Sequence, residues 1–222
     1  MHPQLQYDSV NYSDGPWANE PWQTINYVSC HDNHTLYDKL KISVPDAPEE
    51  EIAAMHRLAN TLVLTSQGVP FLHAGSEFMR TKQGVENSYN SPDSINKIDW
   101  NRMTNQNLHV AYYQSLIALR KNHPVFRLPT ADLIREVIEF NDTDDKLLLM
   151  YQLHGTVVED DWKEVLVIAN GRQTSAEVQL TGTGDWALAL DGMIIDENGL
   201  RRMPAGSKLQ VPPSSAMILF QR

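Results

Sequence analysis

The chain has 222 residues, 41% of them hydrophobic, with 28 acidic and 18 basic side chains and a formal net charge of -10. That length holds one large domain or two ordinary ones and buries a core without disulfides or metals. The acidic balance, with no Lys/Arg cluster, speaks against nucleic acid as a partner; no apolar run reaches the ~18 residues of a membrane span; and the single Cys30 cannot build a disulfide framework.

The N-terminal "MHPQLQYDSVNYSDGPWANEPW" is polar and carries Pro and Gly. It reads as a loop, since a signal peptide needs a basic start and an apolar stretch. "TINYVSC" (24–30) follows, with Ile25, Tyr27 and Val28 favouring an extended core strand. A chain that passes from loop straight into such a strand reads as the back part of something longer. Residues 50–66 place Ile52, Met55, Leu58, Ala59, Leu62 and Val63 at helical spacing behind an acidic first turn, and Gly68 stops them. "VPFLHAG" (69–75) is a second short strand. Strand–helix–strand implies a βα unit with parallel strands.

The polar stretch 76–100 reads as a long functional loop anchored by Phe78, Tyr89, Ile98 and Trp100. "NLHVAYYQSLIALRKNH" (107–123) is an amphipathic helix with Val110, Tyr113, Leu116, Ile117 and Leu119 as core candidates. Its basic end suits the helix dipole, and Pro124 prevents its continuation. From about residue 130 the pattern changes. "LIREVIEF", "KLLLMYQLHG", "EVLVIANG", "SAEVQL", "WALAL" and "AMILFQ" are short runs between turn signals, as in an antiparallel sandwich. The boundary falls near Pro124–Thr130. The expected fold class is α/β followed by all-β, divided into 1–126 and 127–222.

The chemistry concentrates where the first strand ends, at His31, Asp32, Asn33 and His34. A plain Asx-type turn accounts for these residues without function. A metal site from His31, Asp32 and His34 has awkwardly adjacent ligands and no second cluster to complete it. A phosphohydrolase His-Asp pair of the HD-domain type would sit on helices, not after a strand. A Cys–His hydrolase using Cys30 fails because strand neighbours point to opposite faces, so Cys30 reads as a small core residue.

"INYVSCHDNHTLYDKL" resembles the fourth conserved region of the α-amylase superfamily of glycoside hydrolases. "GVPFLHAGSEFMRTKQGVENSYNSPDSINKIDW" is similar to the eighth barrel strand and following loop of pullulanase-type debranching enzymes. "VPPSSAMILFQ" resembles the last strands of their C-terminal sandwich. The resemblance covers nearly the whole chain. It implies the last part of a (β/α)8 barrel, strands 7 and 8 with their helices, followed by a C-terminal antiparallel β-sandwich. It implies an α-glucan substrate and a retaining mechanism on α-1,6 linkages, although α-1,4 and α-1,6 enzymes share the His-Asp pair. By the same resemblance Asp32 is the transition-state-stabilising carboxylate and His31 binds the same sugar, while Tyr89, Asn90 and Asp93 border the substrate groove. Calcium accompanies relatives of this group, and no all-oxygen cluster in the sequence marks a site for it.

Retention needs a nucleophilic and an acid/base carboxylate about 5–5.5 Å apart. The family's Arg-x-Asp and its later Glu are not found in this sequence, and Glu77 lies at the eighth-strand position. The chain alone is therefore expected to be inactive, with an incomplete barrel that favours self-association. The alternative is a non-catalytic carbohydrate-binding or structural module. No compartment is read from these residues.

Overall fold

The computed structural model describes residues 18–222; most of the expected N-terminal loop falls on residues 1–17, outside the described residues. The first strand, β1 (Ile25–Asn26), is followed by α1 (Leu36–Ser43), α2 (Glu49–Thr65) and β2 (Val69–Pro70). β1 and β2 pair in parallel, Ile25 opposite Val69 and Asn26 opposite Pro70. The βα unit is thus present, but regular pairing covers two residues of the expected 24–30 strand. Pro70 has no N–H, so the ladder rests on Val69 N donating to Thr24 O at 3.0 Å and Phe71 N to Asn26 O at 2.9 Å. Gly68 makes the reversal before β2 at φ +99°, where an added Cβ would lie 2.2 Å from Thr24 Oγ1.

Ile25, Tyr27 and Val28 do not form core. They are 61%, 55% and 38% exposed, and Val69, Phe71 and Leu72 are exposed with them. Parallel strands are interior elements, covered on both faces and flanked by neighbours. Among the described residues each of these strands has a single neighbour, so its apolar side chains stay uncovered.

In α2 the expected Ile52 and Val63 are buried, but the rest of the buried stripe is turned from the expected one. Ile52, His56, Asn60 and Leu64 face inward at i, i+4 spacing, and Met55, Leu58, Ala59 and Leu62 are only half-buried. Most polar groups on or beside that face find partners: Asn60 Nδ2 donates to His56 O at 2.7 Å, although Asn60 Oδ1 is left without one among the described residues. Thr61 Oγ1 meets Tyr112 OH at 2.6 Å, and Tyr151 OH donates to Thr65 Oγ1 at 3.0 Å.

The stretch 76–100 is not structureless. It contains a 3-10 turn (Ser76–Phe78), α3 (Asp93–Asn96) and the start of α4 (Trp100–Asn105). Phe78 anchors it, but Tyr89 and Trp100 are 83% and 62% exposed and do not. α5 (Asn107–Asn122) buries Tyr112, Tyr113, Leu116 and Leu119, with Val110 half-buried and Ile117 exposed. Its Arg120 does more than face a helix dipole: the buried guanidinium donates to the carbonyls of Leu64, Ser66, Gly68 and Phe126.

"LIREVIEF" is corrected to half helix, half strand. Thr130 Oγ1 accepts from Leu133 N and starts α6 (Ala131–Val137), which runs into β3 (Ile138–Asn141). The remaining strands are β4 (Leu148–His154), β5 (Glu164–Asn170), β6 (Ala176–Gln179), β7 (Trp186–Leu190), β8 (Arg201–Met203), β9 (Lys208–Val211) and β10 (Ser215–Gln221). They form an antiparallel six-stranded sheet in the order β3-β4-β5-β10-β7-β8 and an antiparallel pair β6-β9. Alternate residues of the central strands face opposite ways. Leu166, Ile168, Met217 and Leu219 pack with Val178, Leu209 and Val211 of the small sheet. Val165, Val167, Ile218 and Phe220 pack with Leu64, Leu116, Leu119 and Phe126 of the helical part. One core therefore joins the α/β part to the large sheet.

A polar contact seals that seam. His123, just after α5, is 5% exposed and meets Asp160 Oδ1 through Nδ1 at 2.7 Å. Asp160 also accepts from Trp162 N at 2.9 Å and Val125 N at 3.2 Å. Burial acts to raise the Asp160 carboxyl, but these hydrogen bonds outweigh it and hold it below its ordinary value. The imidazole stacks on Trp162, which stacks on Phe220.

Candidate functional site

Parallel pairing brings the C-terminal ends of β1 and β2 to the same side. The turn after β1 presents His31 and Asp32 to solvent, with side chains 86% and 66% exposed and His31 Nε2 3.5 Å from Asp32 Oδ2. A polar contact so exposed contributes little stability, so packing does not explain these two residues. Asn33 follows with φ +59°, in the left-handed region that Asn tolerates.

Two buried charges tie this turn to the segment after β2. Thr35 caps α1 by accepting from Asp38 N, and the buried Asp38 carboxylate accepts from Thr81 Oγ1 and from Lys82 N at 2.7 Å. In the reverse direction Lys82, 2% exposed, sends its ammonium back to the first turn. Lys82 Nζ donates to the carbonyls of Asn33 at 2.6 Å, Glu86 at 3.0 Å and His31 at 3.4 Å. An ammonium has three donors, and all three are used.

His73 stands half-buried three residues past β2, with Arg80 Nη1 3.4 Å from its Nε2. Burial first, then the charges of Arg80, Lys82 and His31, push its imidazole below the ordinary value. Arg80 also donates to Ala74 O at 3.2 Å and Asn96 O at 2.7 Å. Asn96 Nδ2 in turn holds the carbonyls of Ser88 and Ser91, which pins the loop that bears Tyr89 and Asn90. Tyr89, Asn90 and Asp93 are all exposed. The structure links their loop to the His31–Asp32 turn through backbone carbonyls, held by Lys82 at one end and by Gln83, which donates to Ser94 O, at the other. Among the described residues it shows no direct contact from these three side chains to Asp32.

Chemically, the turn offers one exposed carboxylate, which only accepts hydrogen bonds, beside an imidazole. That pair can hold adjacent hydroxyls. Glu77 is not a second free carboxylate, because its Oε2 accepts from Gly75 N at 3.0 Å. Among the described residues, Cys30, His31 and Asp32 form the one group with three ligand atoms within 4.8 Å of one another. The set excludes His34 and mixes thiol, imidazole and carboxylate, so it does not fit the oxygen shell that calcium takes. A cleft of about 980 Å³ lies elsewhere, between α2, α5 and residues 193–195, and none of the predicted site residues lines it.

Sequence reasoning missed Asp38, His73, Arg80 and Lys82. Thr35-x-x-Asp38 is a legible helix-start pattern. Nothing in "FMRTKQG" marks Lys82 as buried.

Residues 134–193 match the family described as "Pullulanase, all-beta domain". The chain is 43% identical over 176 residues to a pullulanase of Bacillus subtilis (strain 168), covering 79% of this chain and 24% of that protein. An isoamylase of a Flavobacterium species is 27% identical over 215 residues, 77% of this chain and 28% of that one. The solved pullulanase type I of Bacillus subtilis, complexed with maltose, superposes with a TM-score of 0.88 at 37% identity, covering 97% of this chain and 29% of that one. The Paenibacillus barengoltzii pullulanase, complexed with maltohexaose and α-cyclodextrin, gives 0.83 at 44% identity, with 92% and 30% covered. The chain thus spans about a quarter of the first curated relative it matches.

Proposed function

We propose that this chain, a relative of the pullulanases in sequence and fold, serves as part of a glycoside hydrolase that cleaves α-1,6-glucosidic linkages in branched α-glucans. In this reading residues 1–126 are the end of a (β/α)8 barrel and 127–222 a C-terminal β-sandwich. The supporting observation is the exposed His31–Asp32 turn at the shared C-terminal end of two parallel strands, the position where such barrels carry functional side chains. Asp32 accepts hydrogen bonds from two adjacent hydroxyls of the sugar at the cleaved bond, and His31 binds the same ring. These bonds strengthen as the ring takes on oxocarbenium character, so they lower the barrier rather than only the ground state. Tyr89, Asn90 and Asp93 border the glucan further along. The nucleophile and the acid/base come from sequence outside this chain, and retention follows from their pairing. The free outer edges of β1 and β2 are where the remaining strands pair, and their exposed apolar side chains are what the missing neighbours cover; in their absence the isolated chain self-associates.

The test exchanges this chain for the aligned segment of the Bacillus subtilis pullulanase. The isolated chain should release no reducing ends from pullulan, and the chimera should do so. Asp32→Asn in the chimera should lower kcat on the order of 10²–10³-fold, as loss of one transition-state hydrogen-bonding group does. A soluble, folded chimera without turnover, or one indifferent to Asp32→Asn, refutes the reading. A clean monomer of the isolated chain in light scattering refutes the self-association.

A further inference from the structure

We infer that Lys82 is a positioning residue: its buried ammonium fixes the turn at whose tip Asp32 stands, and so sets the direction of that carboxylate. The inference rests on the proposed role of Asp32, and it adds a residue from the neighbouring strand's loop to the site. Burying an ammonium costs several kcal/mol unless all its donors are satisfied. Here they are satisfied by three backbone carbonyls and by no carboxylate. An apolar residue would serve a core better, so a lysine retained at 2% exposure points to what it holds.

What it holds is specific. Two of the three carbonyls belong to His31 and Asn33, the residues on either side of Asp32. With both flanking carbonyls turned inward to one charge, the Asp32 side chain is left facing outward, 66% exposed. The third carbonyl, of Glu86, ties the same charge to the segment leading to Tyr89. Asn33 at φ +59° takes the shortest of the three bonds, 2.6 Å, so the contact also holds the one left-handed residue of the turn. Lys82 is itself placed by Asp38, which accepts its backbone N–H at 2.7 Å. The ordering therefore runs from α1 to the Lys82 backbone and from the Lys82 ammonium back to the turn.

Three measurements on the 222-residue chain and one on the chimera test this. In the unmodified chain, the Lys82 ammonium should give a slowly exchanging ¹⁵N signal correlated across a hydrogen bond to the Asn33 carbonyl; its absence overturns the inference. In Lys82→Met, which keeps the volume and removes the donors, backbone order parameters of residues 31–34 should fall from about 0.85 to below 0.6, while α2 and β5 are unchanged. Equal order in variant and parent overturns it. In the double variant Cys30→Ser/Lys82→Cys, aminoethylation of the introduced thiol rebuilds a lysine-like ammonium and should restore the order; a purely steric role would not respond. Should Lys82→Met fail to fold, the first and third measurements still decide. In the chimera, Lys82→Met should lower kcat at least 10-fold with the smaller effect on KM. If Asp32→Asn lowers kcat and Lys82→Met does not, the positioning role falls. If neither lowers it, the reading of Asp32 falls, and the order measurements still decide whether the clamp exists.

Discussion

Replacing Asp160 by Ala removes the acceptor at the seam between the helical part and the large sheet. Three donors lose their partner together: His123 Nδ1 at 2.7 Å, Trp162 N at 2.9 Å and Val125 N at 3.2 Å. The Asp160 side chain is 0% exposed, so no solvent takes its place. Leaving one buried donor unsatisfied costs about 1–3 kcal/mol, so three donors losing one shared acceptor should cost Asp160→Ala at least about 3 kcal/mol. Asp160→Asn keeps the shape, loses the charge and turns one acceptor into a donor; about 1–3 kcal/mol is expected. The carboxyl is held below its ordinary value in the folded state. Its contribution is therefore full above the unfolded value, about 3.9, and is lost as pH falls through the lower folded value. Urea unfolding followed by circular dichroism, from pH 7 downward, reads this directly. The gap between parent and Asp160→Asn should narrow toward acid, and the exposed neighbour Asp161→Asn should stay within about 0.5 kcal/mol of the parent throughout. A gap independent of pH, or equal effects at 160 and 161, would refute the reasoning.

Gly68→Ala should destabilise by about 1–3 kcal/mol, because it sets a Cβ 2.2 Å from Thr24 Oγ1 at φ +99°; an unchanged urea midpoint would count against the tight turn before β2. Burial, with the charges of neighbouring His109, Arg57 and Arg102, pushes His56 down to about 3, and burial with Arg57 and Arg102 pushes His109 down to about 4. Both stay neutral when folded but take up protons below about pH 6.5 when unfolded, so each removes up to about 1.4 kcal/mol per pH unit as pH falls from there toward its folded value. His109→Asn should flatten that slope by one proton, and an identical slope would show that His109 protonates in the folded state. Arg120→Met strips four carbonyls of their donor and should cost about 3–5 kcal/mol, against less than about 1 kcal/mol for the exposed Lys121→Met; comparable urea midpoints for the two variants would contradict the clamp.

Periodicity located the long elements because it reports a repeated environment. α2 and α5 and strands β4, β5, β7 and β10 lie where their patterns place them. It missed the orientation of α2, whose inner face includes His56, Asn60 and Thr61; polarity reads as outward unless partners such as Tyr112 are known. It also read "LIREVIEF" as one strand, since Thr130 decides the matter through a single cap bond. For the site, His31 and Asp32 were legible as polar residues ending an apolar run. The residues that hold them were not. Asp38 and Lys82 act on backbone groups far away in sequence, and such contacts leave no spacing to read.

The reciprocal arrangement of Asp38 and Lys82 has a consequence for behaviour in salt. At 1 M salt the screening length shrinks to about 3 Å, and exposed pairs such as Lys41–Glu49 and Lys208–Glu177 lose most of their attraction. The two buried charges are held by short hydrogen bonds from which mobile ions are excluded. Concentrated brine should therefore loosen the chain's surface while leaving the His31–Asp32 turn in the shape it has in dilute buffer.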